Sequence, residues 1–209
     1  MTRLRFDKSA CETLAGCVGE IEKNTKAELV IVVQARSTRY AQADFLFGAL
    51  LAFAGLLFLL FSPVEFSPYW VAIDVVLLFV LGAYLSSRSN SIRRLLTTNK
   101  FRSEAVRTKA ASMFYEAGVA NTTAELGVLV YVSLLERQLE LIADRGVLKA
   151  VPALEWNRRM FELHEAGRRP EPATILKALG DLGGLLAKHL PATGDNPNEL
   201  PDMPRFELK

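Results

Sequence analysis

Three acidic residues sit where strands are expected to begin or end. Glu28 opens the run Glu28–Gln34 (ELVIVVQ), Glu125 precedes Gly127–Leu134 (GVLVYVSL), and Asp144 follows Gln138–Ala143 (QLELIA). Carboxylate oxygens are hard donors, and several gathered in one place can hold a divalent cation such as Ca²⁺ or Mg²⁺. Strand ends of open α/β sheets are also where ligands tend to bind. The competing reading spends the same residues on caps and surface salt bridges, Asp144 with Arg145 and Glu136 with Arg137. It is the simpler of the two. No P-loop, GxSxG, CxxC or dinucleotide glycine fingerprint is present. The two histidines, His164 and His189, have no metal-ligand spacing and read as surface residues near helix ends. Cys11 and Cys17 lie six apart on an expected helix, about 600° round it, so they face different ways and a mutual disulfide is not expected. Unpaired thiols fit a reducing compartment.

These residues need a scaffold, and the chain is long enough to build one. Of 209 residues, roughly 160 remain once a hairpin of about 45 is set aside, enough for one compact domain with its own core. Twenty-five Lys and Arg against 23 Asp and Glu give a net charge of +2. That balance argues against a general polyanion binder, and no nucleic-acid partner is expected.

Two apolar runs interrupt the domain, Phe45–Phe61 (FLFGALLAFAGLLFLLF) and Tyr69–Leu85 (YWVAIDVVLLFVLGAYL). Each is apolar all round and, with its flanks, near the length that crosses a bilayer, so a transmembrane hairpin is expected. The alternative is a helical hairpin buried in a soluble core. The loop Ser62–Pro68 (SPVEFSP), with Glu65, holds no Lys or Arg, whereas Arg36, Arg39, Arg88, Arg93, Arg94 and Lys100 flank the other side. The positive-inside rule then puts both termini in the cytoplasm, with the lipid bilayer as an obligate partner. The first residues, MTRLRFDKSACETL, lack the apolar segment of a secretory signal, so the hairpin is expected to drive its own insertion. Asp74 lies only about six residues past Pro68, a shallow depth that argues against an ion pathway. Between Arg88 and Lys109 there are seven basic residues and one acid, Glu104. This stretch suits anionic lipid headgroups, or is simply a solvated face.

Helices are expected at Lys8–Lys23, capped by Asp7, in two stretches across 91–117 with a break near 97–99, at 152–166 and at 173–189. Gly118 should close one of them, and Gly167–Pro172 reads as a linker. Glu28–Gln34 reads as a central strand buried on both faces, and the runs 127–134 and 138–143 as a β-hairpin. The expected fold class is α/β: a small α/β/α sandwich built from 1–39 and 88–190, with the hairpin 40–87 inserted and a proline-rich tail 191–209 that is extended or disordered.

Several separated motifs, in this order, resemble the TPM-domain family: Thr25–Gln34 (TKAELVIVVQ) and Gly127–Val147 (GVLVYVSLLERQLELIADRGV). The hairpin loop SPVEFSP and Asn198–Asp202 (NELPD) make it similar to the bacterial membrane-embedded branch. The resemblance covers about residues 7–190. It implies an α/β/α sandwich in the inner membrane, acidic residues that bind a divalent cation, and phosphatase activity in some members. By position, Glu28, Asp144 and Glu125 would sit in or near that acidic cleft. Where many soluble members have Asp-Asn-Gly, this chain has Glu125-Leu126-Gly127, which removes one oxygen ligand. The function expected is a membrane-anchored module that binds or modulates a protein partner, with the segment 198–209 as a docking peptide. The alternative is a metal-assisted phosphatase.

Overall fold

The structure, a computed structural model, describes residues 8–64, 66–192, 199–200 and 203–207. Asp7 as a cap, Glu65 in the hairpin loop and most of the Asn198–Asp202 motif lie outside the described residues. The chain forms two compact units, residues 1–37 with 103–209 and residues 38–102.

The first unit is an α/β/α sandwich around a four-stranded mixed sheet. β1 (Glu28–Gln34) and β2 (Gly127–Ser133) pair in parallel over seven residues, from Glu28 opposite Gly127 to Gln34 opposite Ser133. β3 (Gln138–Ala143) pairs antiparallel with β2, and β4 (Arg205–Glu207) pairs in parallel with the other edge of β1. The order is β3-β2-β1-β4. Every residue of β1 and β2 is buried, because helices cover both faces of the sheet. Leu29, Ile31 and Val33 pack with α1 (Lys8–Asn24), α7 (Ala153–Arg168) and α8 (Pro172–His189). Val30, Val32, Leu129 and Tyr131 pack against Val106, Ala110 and Met113 of α5 (Asn99–Glu116) on the other side. Such a strand has no polar face to show, which is why its sequence is one continuous apolar run.

Two glycines are fixed by this packing. Gly118 ends the α5 region with φ +79°, the left-handed conformation that favours glycine. Gly167, expected in a linker, lies inside α7. A Cβ there would sit 2.5 Å from the amide nitrogen of Leu139, so the helix reaches β3 only because no side chain intervenes. Two elements were not anticipated. α6 (Arg145–Ala150) is a six-residue turn of helix capped by Asp144. The tail, read as extended or disordered, is extended at Arg205–Glu207 and supplies β4.

The second unit contains α2 (Ala41–Phe61), α3 (Pro68–Arg88) and α4 (Asn90–Leu95). α2 and α3 have 21 residues each, about 31 Å at 1.5 Å per residue, and both are long and apolar enough to cross a membrane. Only 11 % of the most apolar 18-residue window of each helix is buried, so neither is packed as a core helix within this chain. The two helices meet through glycine. A Cβ on Gly48 would lie 2.6 Å from the Phe79 carbonyl oxygen, and one on Gly82 would lie 2.9 Å from the Gly48 Cα. Small residues at such a crossing let the two backbones approach closely. Below it, Asp44 of α2 accepts two hydrogen bonds from Arg93 of α4, at 2.9 Å from Nε and 2.7 Å from the terminal nitrogen. Ser86 of α3 donates a third at 2.8 Å. This buried clasp ties three helices at one end of the hairpin.

Candidate functional site

The sheet brings the three predicted acidic positions to one end. Glu28 is opposite Gly127, and the Asp144 amide donates to the Gly127 carbonyl at 2.8 Å. Their side chains, however, have separate duties. Asp144 Oδ1 accepts the Arg145 amide at 2.6 Å and caps α6, the capping half of the simpler reading. Glu28 is 4 % exposed, and its Oε2 accepts the Leu200 amide at 3.2 Å. Glu125 is exposed and holds the left-handed conformation, φ +54°, while its carbonyl accepts the Gly146 amide at 3.0 Å. A Cβ on Gly146 would lie 2.6 Å from that carbonyl oxygen, so in Asp144-Arg145-Gly146 the aspartate caps and the glycine admits the neighbouring loop. Leu126 is buried in the main core, which accounts for an apolar residue at that position. Among the described residues, no group of three or more His, Cys, Asp or Glu is placed to hold a metal ion. The end in question also carries the amino ends of β1 and β2. The carboxyl ends, where ligands of open α/β sheets tend to sit, lie opposite.

At those carboxyl ends the structure shows a polar cluster that sequence reasoning missed. Gln34, Tyr131, Ser133 and Glu136 are all buried. The Tyr131 hydroxyl donates to Gln34 Oε1 at 2.7 Å. Ser37 Oγ lies 3.0 Å from that hydroxyl and donates to Ser133 Oγ at 2.9 Å. Glu136 Oε1 accepts the Ser37 amide at 2.9 Å, and its Oε2 accepts the Ser133 hydroxyl. Glu136, at 2 % exposure, is therefore a buried acceptor, not half of a surface pair with Arg137. Burial pushes the Tyr131 phenol well above its ordinary range and keeps it a neutral donor. The cluster fixes residue 37, the last residue of the first unit before the chain enters the hairpin. The readable signal was the register: Gln34 and Ser133, the polar ends of two apolar strands, are partners.

The segment after α8 links the two ends. Glu199 Oε2 accepts the Thr123 amide at 2.8 Å, and Leu200 packs on the α5 side of the sheet. Phe206 packs into the opposite core. Gln34 Nε2 donates to Glu207 Oε2 at 2.6 Å, and the Ala35 amide donates to the Glu207 carbonyl at 3.1 Å.

In the second unit, two of the expected lipid-facing cations are spent internally. Arg93 is in the clasp with Asp44. Arg102 is 8 % exposed and donates to the carbonyls of Arg94 at 2.5 Å and Thr97 at 2.6 Å, where α4 ends. Arg88 and Lys100 are exposed, and Leu95 beside Arg94 is 84 % exposed. Asp74 lines a groove of about 440 Å³ on the hairpin with Gly55, Phe58 and Leu78. Cys11 and Cys17 are free thiols.

No family model matches the chain, and no curated protein matches it. Among solved structures, it is similar to the BA42 protein from the psychrophilic bacterium Bizionia argentinensis, determined by NMR. Identity is 14 % and the TM-score 0.57, over 96 % of this chain and 94 % of that one. At that identity the likeness concerns the fold: a mixed α/β architecture that a solved protein shares across nearly its whole length.

Proposed function

We propose that this chain is a membrane-anchored binding module of the TPM type, held in the bacterial inner membrane by α2 and α3 with both termini in the cytoplasm. The observation that carries the reading is the hairpin itself: two 21-residue helices whose apolar side chains stay outside any protein core. Exposing Phe58, Leu60, Val76 and Leu77 to water would be costly, at about 25 cal/mol per Å², and a bilayer removes that cost. The loop between the helices lacks Lys and Arg, while Arg39 and Arg88 flank the far ends, which supports the sidedness. Arg88, Lys100 and Leu95 are all exposed and belong to the second unit, and they suit anionic headgroups. The α/β unit then faces the cytoplasm and engages a protein partner. Crosslinking in cells followed by mild detergent extraction is expected to trap the chain in a larger complex; a lone monodisperse monomer under every condition would count against a binding role. Trypsin added to intact cells should leave the exposed Arg168–Arg169 bond uncut, and cutting there would reverse the orientation.

A metal-assisted phosphatase has one structural support, the shared sheet end of Glu28, Glu125 and Asp144. Asp144 Oδ1 and Glu28 Oε2 each already accept a backbone amide, so a cation would share these carboxylates with those amides. Assay of a phosphomonoester with Ca²⁺ and Mg²⁺, beside Asp144→Ala, tests it: turnover lost in the variant supports it, and equal turnover removes Asp144.

A further inference from the structure

The side of β1 away from β2 is a strand-docking site already filled by the chain's own Leu200 and Arg205–Glu207. Four features define what it accepts. Leu200 rests beside Gly118 on one face, its δ carbon 3.8 Å from where a Gly118 Cβ would stand. Its amide is received by the buried Glu28 carboxylate. Phe206 enters the opposite core, and Glu207 is held by the Gln34 amide and by the backbone of Ala35. The ladder that seats it is short, three residue pairs against seven between β1 and β2. Edge strands are the usual place for strand addition, with backbone bonds giving affinity and alternate side chains giving specificity. A three-pair strand anchored by two apolar side chains and the carboxylates of Glu199 and Glu207 is a weaker resident than the seven-pair ladder beside it.

We propose that this edge is an exchangeable site and that its partner is the same segment of a second copy of this chain, each copy strapping the other. This rests on the reading of the chain as a membrane-anchored binding module: anchoring confines copies to one plane and raises their effective concentration. A second copy carries the leucine, the phenylalanine and the glutamate at the spacing the edge is built for. Strand exchange of an identical element is an inexpensive route to a dimer.

The test uses the full chain in mild detergent. A tagged copy lacking residues 199–209 keeps an empty edge. A fluorescent peptide of residues 199–209 should bind it saturably and at least ten times more tightly than it binds the intact chain, whose own segment competes. The tagged copy should also capture untagged intact chain, and capture should fall at least fivefold when the intact chain carries Phe206→Ala with Glu207→Ala. If the shortened copy loses its helical signal, the intact chain with that double substitution becomes the acceptor in the same peptide assay. No saturable binding to a folded acceptor overturns the site. Peptide binding without capture, or capture indifferent to the double substitution, overturns exchange between copies. None of these readings depends on insertion, so a failure of the anchor would show separately, as chain found free of membrane.

Discussion

The clasp beneath the hairpin gives a sharp energetic prediction. Asp44, Arg93 and Ser86 are 9 %, 7 % and 0 % exposed, and the Arg93–Asp44 contact is bidentate. Arg93→Leu leaves Asp44 buried without its bidentate guanidinium, and Asp44→Leu leaves the buried Arg93 guanidinium without that carboxylate. Removing one partner of a buried pair costs about 3–5 kcal/mol, mostly the penalty of the charge left behind. Replacing both with leucine removes both charges, and such swaps are often close to neutral. The double variant should therefore lose less than about 2 kcal/mol, although the single losses would sum to about 6–10 kcal/mol, a large coupling in a double-mutant cycle. Unfolding of the full chain in a fixed mild detergent, titrated with a denaturing detergent and followed by circular dichroism, gives the four free energies. Single losses below about 1 kcal/mol that simply add would mean an exposed surface pair and refute the reasoning.

Other outcomes follow from particular contacts. Alanine ordinarily gains about 0.5–1 kcal/mol over glycine inside a helix, so Gly180→Ala, with nothing within 4 Å of the new Cβ, should raise the melting temperature. Gly167→Ala should lower it, because the new Cβ meets the backbone of Leu139 and Gln138, and overpacking costs about 1–3 kcal/mol; two shifts of the same sign would contradict this. Burial pushes the Glu140 carboxyl above its ordinary range, against the weaker pull of His164 and Arg107. The folded state then holds the proton more tightly than the unfolded one, so this group's contribution to stability falls as pH rises from the ordinary carboxylate range through the raised value. Glu140→Gln should melt higher than the parent at neutral pH and equally at acid pH; an unchanged difference across the range would refute it. Leu95→Glu, which puts an anion at this exposed position, should lower salt-sensitive crosslinking of the chain to anionic headgroups, and unchanged crosslinking would remove Leu95 from the proposed headgroup contact.

Much of the scaffold was legible because its causes are local. β1 was readable to the residue, since a strand covered on both faces must be apolar throughout. The membrane-length helices were visible in composition alone, and so was the break between α4 and α5 around Leu96–Thr98. What failed to show depends on distant partners. Gly167-Arg168-Arg169-Pro170 looks like a linker, and only β3 packed against the helix reveals the glycine as a contact. β4 has three residues in a proline-rich stretch, and its strand character comes from pairing with β1 on the side away from β2. The acidic end was half legible: register gathers Glu28, Glu125 and Asp144, but the Leu200 amide and the α6 cap that occupy two of them arise from the segment after α8 and from a helix too short to announce itself. Glu136, flanked by Leu135 and Arg137, gave no sign that the fold would bury it against Ser37 and Ser133.

The proposed anchored-module function depends on α2 and α3 lying in lipid. The most direct measurement is alkaline carbonate extraction of membranes from cells making the full chain, followed by centrifugation. The chain should stay in the pellet and be released only by detergent. A chain that moves to the supernatant without detergent would contradict it.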